Sequence, residues 1–365
     1  MSFLAPTRSL RVLLVGPSLI LGWTESVLRA FASQRCTVRV HYYNQSGLRR
    51  QVKGIRRFAF RWTGRELPSV PQPVLRWYES RLAVRAGRAL LKEAREFRPD
   101  LILVLKGEWL QAEVLSRLKA STKATLAVWW VDHPFINAES LSPWPYVSAC
   151  IPLYDHCFLF DRSYEPELWA AGARAVHFLP CAADTDLFRS QVLTNGERIR
   201  YGASVSLIGV RTASRAQTLK ALCAVPGLGV WGPGWQGWLE EQNNLQAYRG
   251  EILEPVEACM VYNASPVNLN THHHQSRDGG LNTRAFEIPA ASAFELTDWV
   301  PGLEALLEPG REVAVYRNPE DAADLAAYYI KAEEERRRIA EAGHRRVLAH
   351  HTYRHRMQTL LEAVL

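Results

Sequence analysis

Short apolar runs alternate with longer amphipathic segments over the first third of the chain. The apolar runs predict buried strands at Arg11–Val15, Val38–Tyr43, Leu101–Leu105 and Thr125–Val131. The segments between them have helical periodicity and predict helices at Thr24–Ser33, Val74–Phe97 and Gln111–Lys119. Strands that alternate with helices in this way are typical of an α/β fold, in which a parallel sheet carries helices on both faces.

The same alternation restarts at Val205–Ile208 and predicts a second doubly wound domain. It continues with predicted helices at Ser214–Ala224 and Pro255–Ala264 and predicted strands at Gly229–Trp231 and Val267–Asn270. We place the linker between the domains near 184–195. A length of 365 residues agrees with about two domains.

The composition is that of a globular protein, with 47% hydrophobic and 22% charged residues. Pro17 interrupts the apolar run near the N-terminus, and no segment approaches the ~20 apolar residues that span a bilayer. The six cysteines lack a C-x-x-C spacing, which argues against a zinc site or a redox pair. We therefore expect a soluble cytoplasmic protein, at most peripheral to the inner face of a membrane.

The formal net charge of +7 predicts attraction to anions such as acidic lipid, a phosphorylated substrate or nucleic acid. Part of this excess lies between Arg49 and Arg65, where aromatic residues are interleaved with the basic ones. Such a segment is able to contact a membrane surface or a polyanionic acceptor. The alternative is a solvated face whose aromatic rings pack inward. Nucleic acid is the least favoured partner.

The segment after Asp278 combines features of a nucleotide-binding loop. Gly279 and Gly280 allow close approach of the backbone to an anion, and a helix is predicted to follow Leu281 and Asn282. Glu287, within this helix, is able to accept hydrogen bonds from ribose hydroxyls. The alternative is an ordinary glycine-containing loop before a capped helix.

From about Val205 to the C-terminus the chain resembles the CgeB-type glycosyltransferases, a branch of the GT-B nucleotide-sugar transferases close to glycosyltransferase family 4. The blocks that carry the resemblance include Val205–Gly209, Trp231–Trp235, Val267–Asn270, Asn282–Ala290, Leu296–Asp298, Pro301–Glu304, Ile339–Gly343 and His351–Tyr353. The N-terminal half matches more loosely, through Val104–Gly107 and Trp129–Pro134.

The resemblance implies two Rossmann-like domains that face each other across a cleft. Residues 1–187 would form the acceptor-side domain and residues 196–350 the donor domain. The last helix, within 351–365, would pack back on the first domain. Open α/β sheets bind ligands at the carboxyl ends of their strands, so we expect the chemistry at the loops that follow the strands.

By resemblance, Arg215 matches the arginine that binds the donor phosphates, and Gly209 and Arg211 accompany it at the same turn. Arg284 is predicted either to reach the phosphates or to pair with Glu287. Family 4 enzymes carry two glutamates separated by seven residues, a spacing that Glu287 and Glu295 reproduce. The surrounding block instead aligns Glu287 with the second glutamate and leaves Gly279, beside Asp278, at the first. Asp278 or the local backbone would then replace the first glutamate, and Glu295 would be a strand residue near the sheet edge.

In the N-terminal half, Asp132 and His133 follow a predicted strand. The carboxylate is suited to hold an acceptor hydroxyl, and the imidazole to orient the sugar or take a proton. Since adjacent side chains point in different directions, at most one is expected in the site. The alternative role of Asp132 is to cap a loop before Pro134. Lys106 and Glu108, which follow another strand, are predicted on the acceptor side.

Three consecutive histidines, His272 to His274, do not have the spacing of a metal site, because neighbouring side chains do not converge on one ion. We expect at most one of them, His272, to contact the donor. No metal or other cofactor is expected.

The function implied is transfer of a sugar from a nucleotide-diphosphate donor to a hydroxyl of a glycan, a lipid-linked saccharide or a protein, with retention. Three alternatives remain open: a nucleotide-sugar epimerase of the same fold, a non-catalytic glycan-binding or assembly protein and, ranked last, a nucleic-acid-binding protein.

Overall fold

A computed structural model describes residues 9–18, 22–43, 72–136, 144, 146–252 and 254–365, except for the side chains of 72–80 and 82. The basic segment between Arg49 and Arg65 lies outside the described residues. The chain divides into two compact units. The first comprises Met1–Phe158 and Glu165–His177, and the second comprises Leu159–Tyr164 and Phe178–Ala363. The domain boundaries derived from the sequence stay a prediction.

The first sheet has six strands within the described residues, in the order β2-β1-β3-β4-β5-β6. They are β1 (Arg11–Gly16), β2 (Thr37–Tyr42), β3 (Leu101–Leu105), β4 (Thr125–Trp130), β5 (His156–Leu159) and β6 (Val176–Phe178). Strand β1 pairs in parallel with β2 and β3, and β3 pairs in parallel with β4. Strands β1, β3 and β4 are buried on both faces, which explains why their sequences are continuous apolar runs.

The helices of the first unit are α1 (Trp23–Ser33), α2 (Gln72–Phe97), α3 (Ala112–Ser121), α4 (Val147–Cys150) and α5 (Glu165–Ala170). Helix α2 packs closely on α3 at Gly87. A Cβ atom added at this glycine would lie 2.5 Å from a methyl group of Val114, so only a residue without a side chain allows this approach. On the opposite side, the Glu93 carboxylate meets the His41 ring at 2.9 Å and fastens α2 to β2.

The second sheet also has six strands within the described residues, in the order β12-β11-β10-β7-β8-β9. They are β7 (Val205–Ile208), β8 (Leu228–Trp231), β9 (Tyr248–Gly250), β10 (Val267–Asn270), β11 (Glu295–Asp298) and β12 (Ala314–Tyr316). Every neighbouring pair is parallel.

Helices follow the strands of the second sheet: α6 (Asn195–Tyr201), α7 (Ala213–Leu222), α8 (Gln236–Glu241), α9 (Pro255–Ala264), α10 (Arg284–Ala290), α11 (Pro319–Lys331), α12 (Glu333–His350) and α13 (Tyr353–Val364). The core of this unit combines Leu207, Leu269 and Leu296 of the strands with Leu219 and Ala326 of the helices.

The predicted fold class is confirmed. Strands Leu101–Leu105, Val205–Ile208 and Val267–Asn270 and helix Pro255–Ala264 occur with the predicted bounds, and the other predicted elements differ by one or two residues at an end. None of the six cysteines forms a disulfide. In the part of the chain that the structure describes, no helix combines the length and the apolar character needed to cross a bilayer.

Helix α13 is fastened by a buried arginine. The Arg356 guanidinium donates hydrogen bonds to the carbonyls of Pro180 (2.9 Å) and Cys181 (2.9 Å) and to Nδ1 of His351 (2.8 Å). Burial lowers the pKa of Arg356 to about 10. These acceptors offset the cost of removing a guanidinium from water. The predicted packing of this helix against the first domain stays a prediction.

Two glycines allow a close approach of the loops that follow β7 and β8. Gly232 has a φ of 134°, and a Cβ atom there would lie 2.2 Å from the carbonyl oxygen of Gly209. We expect Gly232→Ala to lower the free energy of unfolding by about 2 kcal/mol or more, because both the backbone conformation and the space exclude a side chain. Urea unfolding monitored by circular dichroism measures the change.

The matched control is Gly237→Ala in the exposed first turn of α8, where no atom lies within 4 Å of an added Cβ. This substitution should be neutral or stabilise by roughly 0.5 kcal/mol, since alanine has the higher helix propensity. Equal effects of the two substitutions would contradict the role given to Gly232.

Candidate functional site

Strand β10, in the interior of the second sheet, carries two buried asparagines. The Asn268 side-chain oxygen accepts a hydrogen bond from the Ser206 hydroxyl at 2.6 Å. Its amide nitrogen donates to the carbonyls of Tyr262 (3.2 Å) and Phe294 (3.1 Å). Asn268 therefore joins β10 to β7, to α9 and to the residue before β11.

Asn270 has no exposed surface, and its side-chain amide uses all of its hydrogen-bonding capacity. The nitrogen donates to Glu295 Oε1 at 2.8 Å and to Asn282 Oδ1 at 3.1 Å. The oxygen accepts from Asn282 Nδ2 at 2.9 Å and from Arg284 Nε at 3.1 Å. The sequence prediction missed Asn270. The feature of the sequence that could have revealed it is the presence of two asparagines in a strand of four residues. This is unusual, because asparagine is rare in strands and buried amides need specific partners.

Arg215 and Arg284 meet at the turn after β7. A Cβ atom built at Gly209 would lie 3.0 Å from Arg215 Nη1 and 3.5 Å from Arg284 Nη1. Arg215 is buried at the start of α7, where Nε donates to the Thr271 carbonyl (3.2 Å) and Nη1 to the Val210 carbonyl (2.9 Å). The structure thus brings together three of the predicted donor-binding residues, with two guanidinium groups beside one glycine.

The Arg284 side chain donates a hydrogen bond to Asn270, and its charge opposes the rise in the pKa of Glu287. Both roles predicted for Arg284, phosphate binding and pairing with Glu287, stay predictions. Arg211 is exposed, and its backbone N–H donates to the Pro233 carbonyl at 3.1 Å. It therefore lies against the loop after β8.

Two carboxyl groups of this region have raised pKa values. Burial raises the pKa of Glu287, in the first turn of α10, to about 7, although Arg284 and Thr283 act in the opposite direction. Burial raises the pKa of Glu295 to about 8, opposed by its hydrogen bond with Asn270 and by Arg284. Glu295 begins β11, next to edge strand β12, as the sequence predicts for a strand residue. Its Oε2 is buried and has no hydrogen-bond partner among the described residues.

His272 is held by a carboxylate. Its Nδ1 lies 2.7 Å from Asp298 Oδ1, and its backbone N–H donates to the same oxygen at 2.9 Å. Nε2 is buried without a hydrogen-bond partner in the described part of the chain. When Nδ1–H donates its hydrogen bond to the carboxylate, the neutral ring presents a lone pair at Nε2. The sequence analysis did not assign Asp298 a role in the site.

The other two histidines differ from His272. His273 packs against His274 with ring centroids 3.9 Å apart, and His274 is exposed. Burial, His274 and Arg215 lower the pKa of His273 to about 4. The described residues contain no group of three or more histidine, cysteine or acidic side chains placed to hold a metal ion.

A buried aspartate organises the predicted glycine loop. Asp161 Oδ2 accepts hydrogen bonds from the N–H groups of Arg277 (2.5 Å) and Asp278 (2.9 Å). A Cβ atom at Gly280 would lie 2.2 Å from this oxygen, so the loop has no room for a side chain there. The sequence analysis missed Asp161, which is more than a hundred residues away along the chain.

The N–H of Gly279, where φ is 74°, donates to the Pro301 carbonyl at 2.8 Å. This hydrogen bond engages one of the two backbone donors expected at the glycine pair. Asp278 lies beside Gly302, whose Cβ position is 2.9 Å from Asp278 Oδ1. Leu281 is buried, and helix α10 begins three residues after it.

In the first unit, Lys106, Glu108 and Asp132 gather where β3 and β4 end. Lys106 Nζ lies 2.7 Å from Asp132 Oδ2 and 4.7 Å from the centre of the Trp144 ring. Asp132 Oδ1 is buried and has no hydrogen-bond partner among the described residues. The Tyr43 hydroxyl, at the end of β2, donates to Glu108 at 2.9 Å. Burial raises the pKa of Glu108.

His133 differs from its neighbour Asp132. It is buried, and its Nδ1 accepts a hydrogen bond from the Phe135 N–H at 3.2 Å. The ring therefore takes part in the turn that follows β4, while Asp132 pairs with Lys106.

The Glu295 carboxyl makes the stability depend on pH. Its pKa rises from 4.5 to about 8 in the folded protein, so between these values the native state holds a proton that the unfolded chain has lost. This contribution to the free energy of unfolding is complete below pH 4.5 and is lost as pH rises towards 8. We expect the stability of Glu295→Gln relative to wild type to increase over that range, by up to about 1.4 kcal/mol per pH unit.

Urea unfolding at a series of pH values measures this difference. The Asn270 amide retains its acceptor in the glutamine variant. Glu240→Gln, which removes an exposed carboxyl of the same unit, is the control. A constant difference between Glu295→Gln and wild type, or the same pH dependence in the control, would contradict the assignment.

Comparison with known proteins finds similarity to glycosyltransferases. Residues 211–362 match the family model described as Glycosyl transferase-like. Spore protein CgeB of Bacillus subtilis (strain 168) is 25% identical over 277 residues, which are 72% of this chain and 82% of the relative.

Solved structures of glycosyltransferases share the GT-B fold. Sucrose-phosphate synthase of Thermosynechococcus elongatus matches with a TM-score of 0.67 and 14% identity over 97% of this chain and 98% of that one. Anabaena Alr3699/HepE, solved in complex with UDP-glucose, matches with a TM-score of 0.61 and 12% identity over 97% and 98%. The family model over residues 211–362, the similarity to CgeB and the shared GT-B fold together support a glycosyltransferase that is similar to CgeB.

Proposed function

We propose that the second unit binds the diphosphate of a nucleotide-sugar donor at Arg215 and Arg284. The observation that carries this proposal is the meeting of the two guanidinium groups at Gly209. Guanidinium groups form paired, charge-assisted hydrogen bonds with phosphate oxygens. The UDP-glucose complex of Alr3699/HepE, which has the same fold, supports a nucleotide-sugar as the ligand.

Neighbouring groups suit the rest of such a donor. Glu287, three residues after Arg284 in α10, would accept hydrogen bonds from the ribose hydroxyls. His272 would offer Nε2 to a sugar hydroxyl, because Asp298 holds the opposite side of the ring. Asp278 would take the place of the first of the two glutamates found in glycosyltransferase family 4. These roles follow the expectations drawn from the resemblance.

In the proposed reaction, the bond between the anomeric carbon and the diphosphate oxygen breaks. A bond forms between that carbon and the acceptor oxygen, and the proton of the acceptor hydroxyl passes to the carboxylate of Asp132. Negative charge grows on the leaving diphosphate, where Arg215 and Arg284 stabilise it. Their charges are held in place by hydrogen bonds to Thr271, Val210 and Asn270 before the reaction begins. Retention of the anomeric configuration is the outcome that the resemblance implies.

For the acceptor, we propose Asp132 as the hydroxyl-binding carboxylate of the first unit. Its Oδ1 lacks a hydrogen-bond partner among the described residues, whereas Lys106 holds Oδ2. Lys106 and Glu108 would complete the acceptor contacts. The acceptor class is a hydroxyl of a glycan, a lipid-linked saccharide or a protein. The arginines supply the positive charge that other transferases draw from a metal ion.

The donor site is tested by titrating UDP, GDP, dTDP, ADP and CMP in a calorimeter. We expect one nucleoside diphosphate to bind and Arg284→Met to raise its Kd about tenfold or more, since a charged hydrogen-bond partner is lost. Arg311→Met, which removes an exposed arginine of the same unit paired with Glu308, should leave the Kd unchanged. Thermal unfolding without ligand shows that both variants fold. Failure of every nucleotide to bind, or wild-type affinity in Arg284→Met, would overturn the donor site.

The acceptor role is tested by Asp132→Asn in an assay that follows release of the nucleotide from its sugar. We expect acceptor-dependent turnover to fall about a hundredfold, because the amide is a poor proton acceptor, with no change in nucleotide affinity. Asp155→Asn, which alters the Lys119–Asp155 ion pair of the same unit, is the control and should retain turnover. Equal losses in the two variants would count against Asp132. Turnover of the donor alone into an isomer would indicate an epimerase instead.

A further inference from the structure

Helix α2 separates apolar and basic residues onto opposite faces. Its buried face consists of small and apolar residues spaced four and three apart, namely Ala83, Gly87, Leu90, Ala94 and Phe97. On the exposed face, five residues with the same spacing are all basic, namely Arg81, Arg85, Arg88, Lys92 and Arg95. We call these five residues the basic stripe. Residues with this spacing lie on one side of a helix, so the stripe runs along about 21 Å of its surface.

Acidic residues do little to neutralise the stripe. Among the described residues, Arg85, Arg88 and Arg95 form no ion pair, and Lys92 lies 3.8 Å from Glu96 in a largely exposed pair. The other acidic residue of this part of the helix, Glu93, faces β2 and pairs with His41 and Arg39. The positive charge of Arg85, Arg88 and Arg95 therefore remains available to an external anion.

Two depressions open along the stripe and share Arg88. One, of about 410 Å³, is lined by Arg88, Leu91, Lys92, Arg95, Glu96 and Arg117. The other, of about 490 Å³, is lined by Arg81, Val84, Arg85, Arg88 and Gln111. Each depression thus contains three or more cationic groups, a lining suited to anionic oxygen atoms such as those of phosphate groups.

We propose that the basic stripe docks the protein on a membrane surface rich in anionic phospholipid. Each basic residue near such a surface increases the affinity of the protein for the membrane, and no shaped pocket is needed. The packing of Gly87 on Val114 holds one side of α2 against α3, so that the stripe on the other side presents a line of charges. Val84, which is 40% exposed, adds an apolar group between the arginines.

A single-stranded nucleic acid is the less suitable partner. Proteins that bind single strands stack the bases on aromatic rings. From Arg81 to Arg95, the described side chains of the exposed face include no aromatic ring. The residues of the proposed lipid contact are different from those of the basic segment between Arg49 and Arg65, and the proposal does not depend on the proposed donor site.

Co-sedimentation of the full chain with vesicles tests the proposal. We expect binding to vesicles of equimolar phosphatidylcholine and phosphatidylglycerol, none to phosphatidylcholine alone, and loss of binding as salt rises from about 0.1 M to about 0.5 M. The triple variant Arg85→Gln, Arg88→Gln, Arg95→Gln should lower the partition coefficient about a hundredfold, because each cation contributes about fivefold. Circular dichroism and nucleotide binding show that the variant is folded.

The matched control, Arg198→Gln, Arg311→Gln, Arg337→Gln, removes the same charge from exposed positions of the second unit and should bind vesicles as wild type does. Equal losses in both triple variants would mean that overall charge alone drives binding, and would overturn the docking surface. So would the absence of wild-type binding, or binding to phosphatidylcholine alone. Binding of a single-stranded oligonucleotide instead, lost only in the stripe variant, would assign the stripe to nucleic acid.

Discussion

The side-chain amide of Asn270 is the constraint on which the candidate donor site depends. An amide with no exposed surface is costly unless every polar atom has a partner. Its partners come from the loop before α10, from the first residue of α10 and from the start of β11. Removing any one of them would leave a buried polar group unsatisfied. This requirement holds three segments in a single arrangement, and with them Arg284.

The same network sets the sign of the charge at the site. Arg284 lies among two carboxyl groups, Glu287 and Glu295, which would cancel its charge if both were fully ionised. Burial raises the pKa of Glu295 to about 8, so near neutral pH this carboxyl is mostly protonated. It serves as a neutral hydrogen-bond partner of Asn270 while the arginines keep the region positive. A site built in this way is suited to a ligand that carries several negative charges.

The positive charges of the candidate donor site and of the basic stripe on α2 differ in their physical setting. Arg215 is buried and tied to backbone carbonyls, so its orientation is determined by the fold. The arginines of the basic stripe are exposed, and their long side chains keep rotational freedom. The first arrangement favours one ligand geometry, whereas the second favours an extended anionic surface and is more strongly weakened by salt. The net charge of +7 therefore combines groups of distinct physical character.

The sequence by itself determined the fold class and the place of many strands and helices, because apolar periodicity follows directly from the burial of strands and helix faces. The resemblance also directed attention to Gly209, Arg215 and Arg284, which the structure brings together. The sequence did not reveal Asn270, Asp161 or Asp298, whose partners in the site are separated from them by 12 to 117 residues. Only the tertiary structure decided these contacts, because hydrogen bonds between buried polar groups depend on which strand ends become neighbours, and local periodicity carries no information about that.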